Sequence, residues 1–243
     1  MKHLSWLFAL GLVAGVVASP VWAQQDPLAG TVAETRARVL AILKRLETVG
    51  PFHGTSVTTV TGVVEGESKP PVTATSRIWQ KGPYYRLEPV KSKEGTLIKG
   101  PSGFYLYQER ADIYVQPPDF GREAMFQEFK LPPDASTGVE RIWSDMLDSP
   151  ALKIIGTDVL DGKPVTVVTY TASLYVVGQN DVKCWLWNDN GLALKTEEKS
   201  SLSGAAVGTK VTELHELVFE DIPDSLFAVP PEKVQKLPEN WHP

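Results

Sequence analysis

One cysteine among 243 residues excludes an internal disulfide. Cys184 lies between Lys183 and Trp185 on the face of its strand opposite the tryptophans, and the expectation is a buried, chemically silent thiol. Histidine is nearly as scarce: apart from His3 there are only His53, His215 and His242, far apart and without the spaced Cys, His or carboxylate partners of a zinc site. No run of Lys or Arg occurs and the net charge is −5, which argues against a nucleic-acid partner. After the first residues no apolar stretch reaches the length of a membrane span, so no integral membrane segment is expected. Internal repeats and low-complexity tracts are absent as well.

A nucleophile, a paired base or a metal set is also missing. Gly100-Pro101-Ser102-Gly103 lacks the spacing of a nucleophile elbow and reads as a hairpin turn. Glu197 and Glu198 are neighbours on a strand, so they point to opposite faces and cannot work as a carboxylate pair. The residues therefore predict no enzyme, no cofactor and no metal.

What is present begins with a targeting segment. Met1-Lys2-His3 is a short basic start, residues 4–17 are apolar, and Val21-Trp22-Ala23 supplies a small-x-small cleavage site. The expectation is a secretory signal peptide over residues 1–23, cleaved after Ala23, followed by a single soluble domain over residues 24–243. No cysteine directly follows the cleavage site, so no lipid anchor is expected.

Residues 26–49 have helical periodicity, with Val32, Val39, Ile42, Leu43, Leu46 and Val49 at spacings of three, four and seven. Gly50-Pro51 ends that helix. The period then changes to two. Extended runs are expected at residues 55–64, 72–80, 84–88, 95–99, 103–108 and 113–116, the spacing of a meandering antiparallel sheet. Residues 120–129 and 137–147 revert to helical spacing, carrying Met125, Phe126 and Phe129, then Val139, Trp143 and Met146. These two pieces are expected to act as lids. Strands resume at 152–160 and 165–177 around the turn Asp161-Gly162, and a last one is expected within 206–220. The total is about nine to eleven strands.

Residues 181–199 form the clearest hairpin, with two alternating runs around Asn188-Asp189-Asn190-Gly191. A two-residue loop places Trp187 opposite Leu194, and a four-residue loop places it opposite Leu192. In either register Trp185, Trp187, Leu192 and Leu194 share one apolar face that needs a cover. A single curved sheet of this length, with few helices, forms an incomplete β-barrel in a mainly β, α+β fold. The residues expected to line its interior are Trp79, Tyr85, Leu87, Phe104, Leu106, Trp185, Trp187 and Leu194, with Met125, Phe129 and Trp143 on the lid.

Three passages resemble the bacterial periplasmic lipoprotein-carrier family, the LolA-like proteins. They are Ser-Arg-Ile-Trp-Gln-Lys-Gly-Pro-Tyr-Tyr-Arg-Leu-Glu at 76–88, Leu-Trp-Asn-Asp-Asn-Gly-Leu-Ala-Leu-Lys at 186–195, and Phe-Glu-Asp-Ile-Pro-Asp-Ser-Leu-Phe-Ala-Val-Pro at 219–230. The resemblance spans nearly the whole chain after residue 23. It implies a half-barrel closed by helices, a periplasmic location, and a hydrophobic cavity for acyl chains of lipid or lipoprotein, with an inner- or outer-membrane protein as a further partner. The other role it implies is a non-enzymatic sensor module that binds a partner protein in envelope-stress signalling. The carriers place an Arg-Pro pair on an early strand, whose arginine holds the lid shut; Gly82-Pro83 stands there in this sequence, between Lys81 and Arg86. Arg77 and Arg86 read as exposed strand residues.

Overall fold

A computed structural model describes residues 30–64, 67–91, 93, 95–116, 138–174 and 178–236. The targeting segment and the helical piece expected at 120–129, with Met125 and Phe129, lie outside the described residues.

The chain enters through α1 (Val32–Leu43). Thr31 and Glu34 form a reciprocal capping box: Thr31 Oγ1 accepts from the Glu34 backbone N–H at 3.3 Å, and Glu34 Oε2 accepts from the Thr31 N–H at 2.7 Å. The helix tightens into a 3-10 turn at Lys44–Thr48, and Val39, Leu43 and Leu46 are buried along one stripe. Val32, expected on that stripe, is 50% exposed because it sits in the first turn, ahead of the covered region.

The described residues then form thirteen strands: β1 (Phe52–Val64), β2 (Glu67–Ser68), β3 (Val72–Lys81), β4 (Tyr84–Pro89), β5 (Leu97–Gly100), β6 (Gly103–Gln108), β7 (Ile113–Gln116), β8 (Lys153–Leu160), β9 (Lys163–Leu174), β10 (Gly178–Trp187), β11 (Ala193–Leu202), β12 (Ala205–Phe219) and β13 (Val234–Lys236). Between β7 and β8 the described residues include two short helices, α2 (Gly138–Ile142) and α3 (Ser144–Leu147). The sheet runs β13-β7-β6-β5-β4-β3-β1-β12-β11-β10-β9-β8, with β2 paired to β1. Among the described residues it is one curved antiparallel sheet that does not close on itself, an incomplete barrel, in which only the β13–β7 pair is parallel. The two strands beyond the expected count are the very short β2 and β13. Asp161 and Gly162 both have positive φ, 49° and 74°, and close the β8–β9 hairpin in the primed geometry that an Asp-Gly pair favours.

Register sorts the side chains onto two faces. β1 pairs with β3 without a bulge from Phe52↔Gln80 to Val60↔Val72, so Phe52 and Val57 project to opposite sides. From Phe52, cross-strand neighbours on one side run through Gln80, Tyr85 and Lys99 to Phe104. From Val57, those on the other side run through Glu213 and Lys195 to Trp185. Tyr170, Val182, Cys184 and Leu186 share the Phe52 side, and they join Val39, Leu43, Leu46, Met146 and Leu147 in the main core. This is the helix face.

The opposite face of the meander is covered by the C-terminal segment. Ile98, Tyr105 and Val229 are buried there together, with Tyr114 and Val234 against them. A Cβ at Gly100 would overlap the Phe227 carbonyl, so glycine is what lets this segment lie flat on β5.

Candidate functional site

The meander places four of the expected lining residues together. Tyr85 on β4 and Phe104 on β6 are 1% and 2% exposed, with ring centroids 6.3 Å apart, and Leu97, Leu87 and Leu106 pack beside them. All five are on the helix face because Leu87, Leu97 and Leu106 are successive cross-strand partners, as Tyr85, Lys99 and Phe104 are. Burial pushes the Tyr85 phenol well above its ordinary range, so it keeps its proton at any physiological pH.

The other four are placed elsewhere. Trp79 pairs with His53 and Arg86 on the face opposite Tyr85 and is half-buried. Trp185 is also on that face, 6% exposed, under the ammonium groups of Lys183 and Lys195 at 4.5 and 5.3 Å from its ring centroid. Trp187 stacks edge-on against Phe219 at 5.8 Å, and its indole N–H donates to Asp189 Oδ2 at 3.2 Å. The loop has four residues, with the Trp187 N–H donating to the Leu192 carbonyl at 2.8 Å. Leu186 then faces Ala193 while Trp185 faces Lys195, so a bulge absorbs Leu194 as an extra residue. The eight residues therefore do not line one volume, because the sheet itself separates Trp79 and Trp185 from Tyr85, Leu87, Phe104 and Leu106. Lys183 and Lys195 lie over the Trp185 ring, and Trp185 is buried in the main core cluster that also holds Val39 and Leu43 of α1.

Trp143, expected on a lid, sits between α2 and α3, is 1% exposed, and belongs to the main core rather than to the Tyr85 cluster. Cys184 is buried on the face opposite Trp185, as expected. Arg86, expected to be exposed, is only 18% exposed: it binds Glu88 Oε2 through Nε at 3.0 Å and donates to the Leu226 carbonyl at 3.4 Å. The C-terminal segment covers it, which strand alternation alone does not reveal.

Gln80 was not anticipated. It is 2% exposed between Phe52 and Tyr85, its Nε2 donates to the Gly82 carbonyl, and its Oε1 has no hydrogen-bond donor among the described residues. A glutamine within Trp-Gln-Lys-Gly reads as solvent-facing, and nothing local marks it otherwise.

On the face opposite the helices, β8 to β11 carry an open groove of about 350 Å³ lined by Lys153, Thr169, Asp181, Lys183, Glu197 and Lys199. Five of these six side chains are charged. Among the described residues no cluster of three His, Cys, Asp or Glu side chains could hold a metal, and no helix is long and apolar enough to cross a membrane.

No family model matches the chain, and no curated protein matches it in sequence. Solved structures do match. The crystal structure of MucB aligns at a TM-score of 0.50 and 16% identity, over 84% of this chain and 66% of that one. That likeness shows the fold. This chain spans just under two thirds of MucB's length. The complex of Pseudomonas aeruginosa MucA/MucB aligns at a TM-score of 0.48 and 13% identity, over 86% of this chain and 67% of that one. LolA superfamily protein NE2245 from Nitrosomonas europaea aligns at a TM-score of 0.37 and 10% identity, over 79% of this chain and 97% of that one. The curved antiparallel sheet with helices packed against it is the mainly β, incomplete-barrel architecture that the sequence leads one to expect.

Proposed function

We propose that this chain is a non-enzymatic periplasmic carrier that holds acyl chains of lipid or lipoprotein against the helix face of the meander. The observation that carries this reading is the convergence of Tyr85, Leu87, Leu97, Phe104 and Leu106 from three strands onto one apolar patch of an open sheet. Leu87 and Leu106 are only partly buried, so they are the contact surface, with Tyr85 and Phe104 behind them. Each methylene buried there contributes about 0.8 kcal/mol, so one or two acyl chains supply micromolar affinity without any reacting group. Residues 1–23 direct the chain to the periplasm in this reading, with cleavage after Ala23. Protein extracted gently from its own cell envelope is expected to carry lipid in native mass spectrometry and to begin at Gln24; a lipid-free spectrum from such a preparation counts against the carrier.

The second reading is a sensor module that binds a partner protein in envelope-stress signalling. The observation in its favour is the fold shared with MucB, a protein recorded in complex with MucA(peri). A pull-down that recovers a stoichiometric membrane-protein partner, from protein that carries no lipid, selects this reading over the first.

A further inference from the structure

Five neighbouring strands each carry one exposed aliphatic side chain at the same end of the sheet. In sheet order they are Val90 just after β4, Val72 on β3, Val60 on β1, Val207 on β12 and Leu202 on β11, between 38% and 70% exposed. Register fixes their common end. Val60 stands opposite Val72, Gly62 opposite Gly208 and Leu202 opposite Ala205, while the Val90 N–H donates to the Thr75 carbonyl at 2.9 Å. Single exposed aliphatics are ordinary, but a row of them along five paired strands, about 19 Å wide, marks a contact surface.

The row is not confined to one face. Val60 and Val72 have the parity of Phe52, and Leu202 shares the Cys184 face through its partner Gly178, so all three are on the helix face. Val90 is one residue past Pro89 and shares the other face with Thr75. A folded partner packs against one face of a sheet, whereas a rim that is apolar on both sides is matched by a phase that closes around it. The acyl tails of a bilayer are such a phase. On β3, Val72 shares its face with Ile78, the cross-strand partner of Leu87, about 20 Å farther along the strand.

We propose that this rim is a membrane-insertion edge: the end of the sheet formed by β4, β3, β1, β12 and β11 dips into the near leaflet of a lipid bilayer. Attachment of this kind is reversible, because a few partly buried aliphatics give a modest affinity that scales with the apolar area buried. It goes beyond the carrier reading and does not depend on it.

The test uses the full chain from Gln24 and vesicles of dioleoylphosphatidylcholine, whose surface has no net charge. Cys184 is buried, so a polarity-sensitive maleimide reports from one introduced cysteine at a time. Labels on Val72→Cys and Val90→Cys are expected to shift to the blue when vesicles are added. A label on Val218→Cys, exposed to a similar degree at the other end of β12, is expected to keep its emission in water. In co-sedimentation the double variant Val60→Ser/Val72→Ser is expected to lower vesicle partitioning about tenfold, with an unchanged circular-dichroism spectrum. Absence of a shift at Val72 and Val90, or an equal shift at Val218, overturns the proposal and leaves the carrier standing. Wild-type partitioning by a folded double variant overturns it as well. A blue shift that rises with protein concentration and needs no vesicles assigns the rim to a second copy of the chain, which also overturns it. If the double variant does not fold, the label shifts on the single-cysteine proteins decide.

Discussion

Lys81 Nζ lies 2.8 Å from Asp224 Oδ1, and the same ammonium reaches Asp221 at 3.2 Å and the Ile222 carbonyl at 2.7 Å. The cation beside Gly82-Pro83 therefore ties the end of β3 to the C-terminal segment. Arg86 does the same through the Leu226 carbonyl, so both cations near the carriers' Arg-Pro position hold this segment on the sheet. Farther on, Lys233 binds Asp112 at 2.6 Å, Tyr107 donates to the same carboxylate at 2.8 Å, and β13 then pairs with β7.

These ion pairs set a pH window. The hydrogen bond from Lys233, then that from Tyr107, lowers the Asp112 carboxyl from 3.8, so its contribution is complete above 3.8 and disappears as pH falls through the lower folded value. Lys233 is raised from 10.5 by its bond to Asp112, and Lys81 by its bonds to Asp224 and Asp221, so their contributions are complete below 10.5 and disappear as pH climbs beyond it. NMR signals of Val234–Lys236 are expected to collapse toward random-coil positions below pH 3.8, before those of β12 change. Simultaneous loss of both sets shows that the segment is held by packing rather than charge.

Gly191 has a φ of +77°, and a Cβ there would stand 2.6 Å from the Ile42 carbonyl of α1. Gly191→Ala is therefore expected to cost about 2 kcal/mol through left-handed strain and the clash. A thermal melt would register this as a fall of about 6 °C. An unchanged midpoint removes the hairpin tip from the α1 interface.

The two faces of the sheet are expected to respond differently. Leu106→Asp and Leu87→Asp should weaken an acyl probe by at least about tenfold, since each sets a carboxylate in the apolar patch. Trp185→Ala should lower stability by about 3 kcal/mol and leave probe affinity within about twofold. Equal weakening by Trp185→Ala in a fluorescence displacement assay places the ligand on the other face.

Cys184 is fully buried in the main core, so a thiol reagent is expected to label it only after unfolding. Labelling rate against denaturant should follow the circular-dichroism transition, and rapid labelling of native protein contradicts the burial.

Much of the architecture is legible in local pattern. Period-two alternation gives the long strands, Asp161-Gly162 gives its hairpin, and the stripe through Val39, Leu43 and Leu46 gives α1. β13 escapes because three residues carry no period and their partner, β7, lies far earlier in the chain. The bulge at Leu194 escapes because one extra residue changes neither composition nor turn chemistry. For the site, Tyr85, Leu87, Phe104 and Leu106 are legible as apolar strand residues, whereas Gln80 is polar and becomes informative only once its burial is seen.

By itself the sequence determines that β10 has two distinct faces, since successive side chains must alternate: Cys184 and Leu186 on one, Trp185 and Trp187 on the other. It does not determine what covers each face, because both are apolar. Tertiary structure decided that. α1, α2 and α3 return over the Cys184 face, the lysine stems of Lys183 and Lys195 cover Trp185, and the C-terminal segment takes the outside of the meander. Those contacts join residues far apart in the chain, so no local period can encode them.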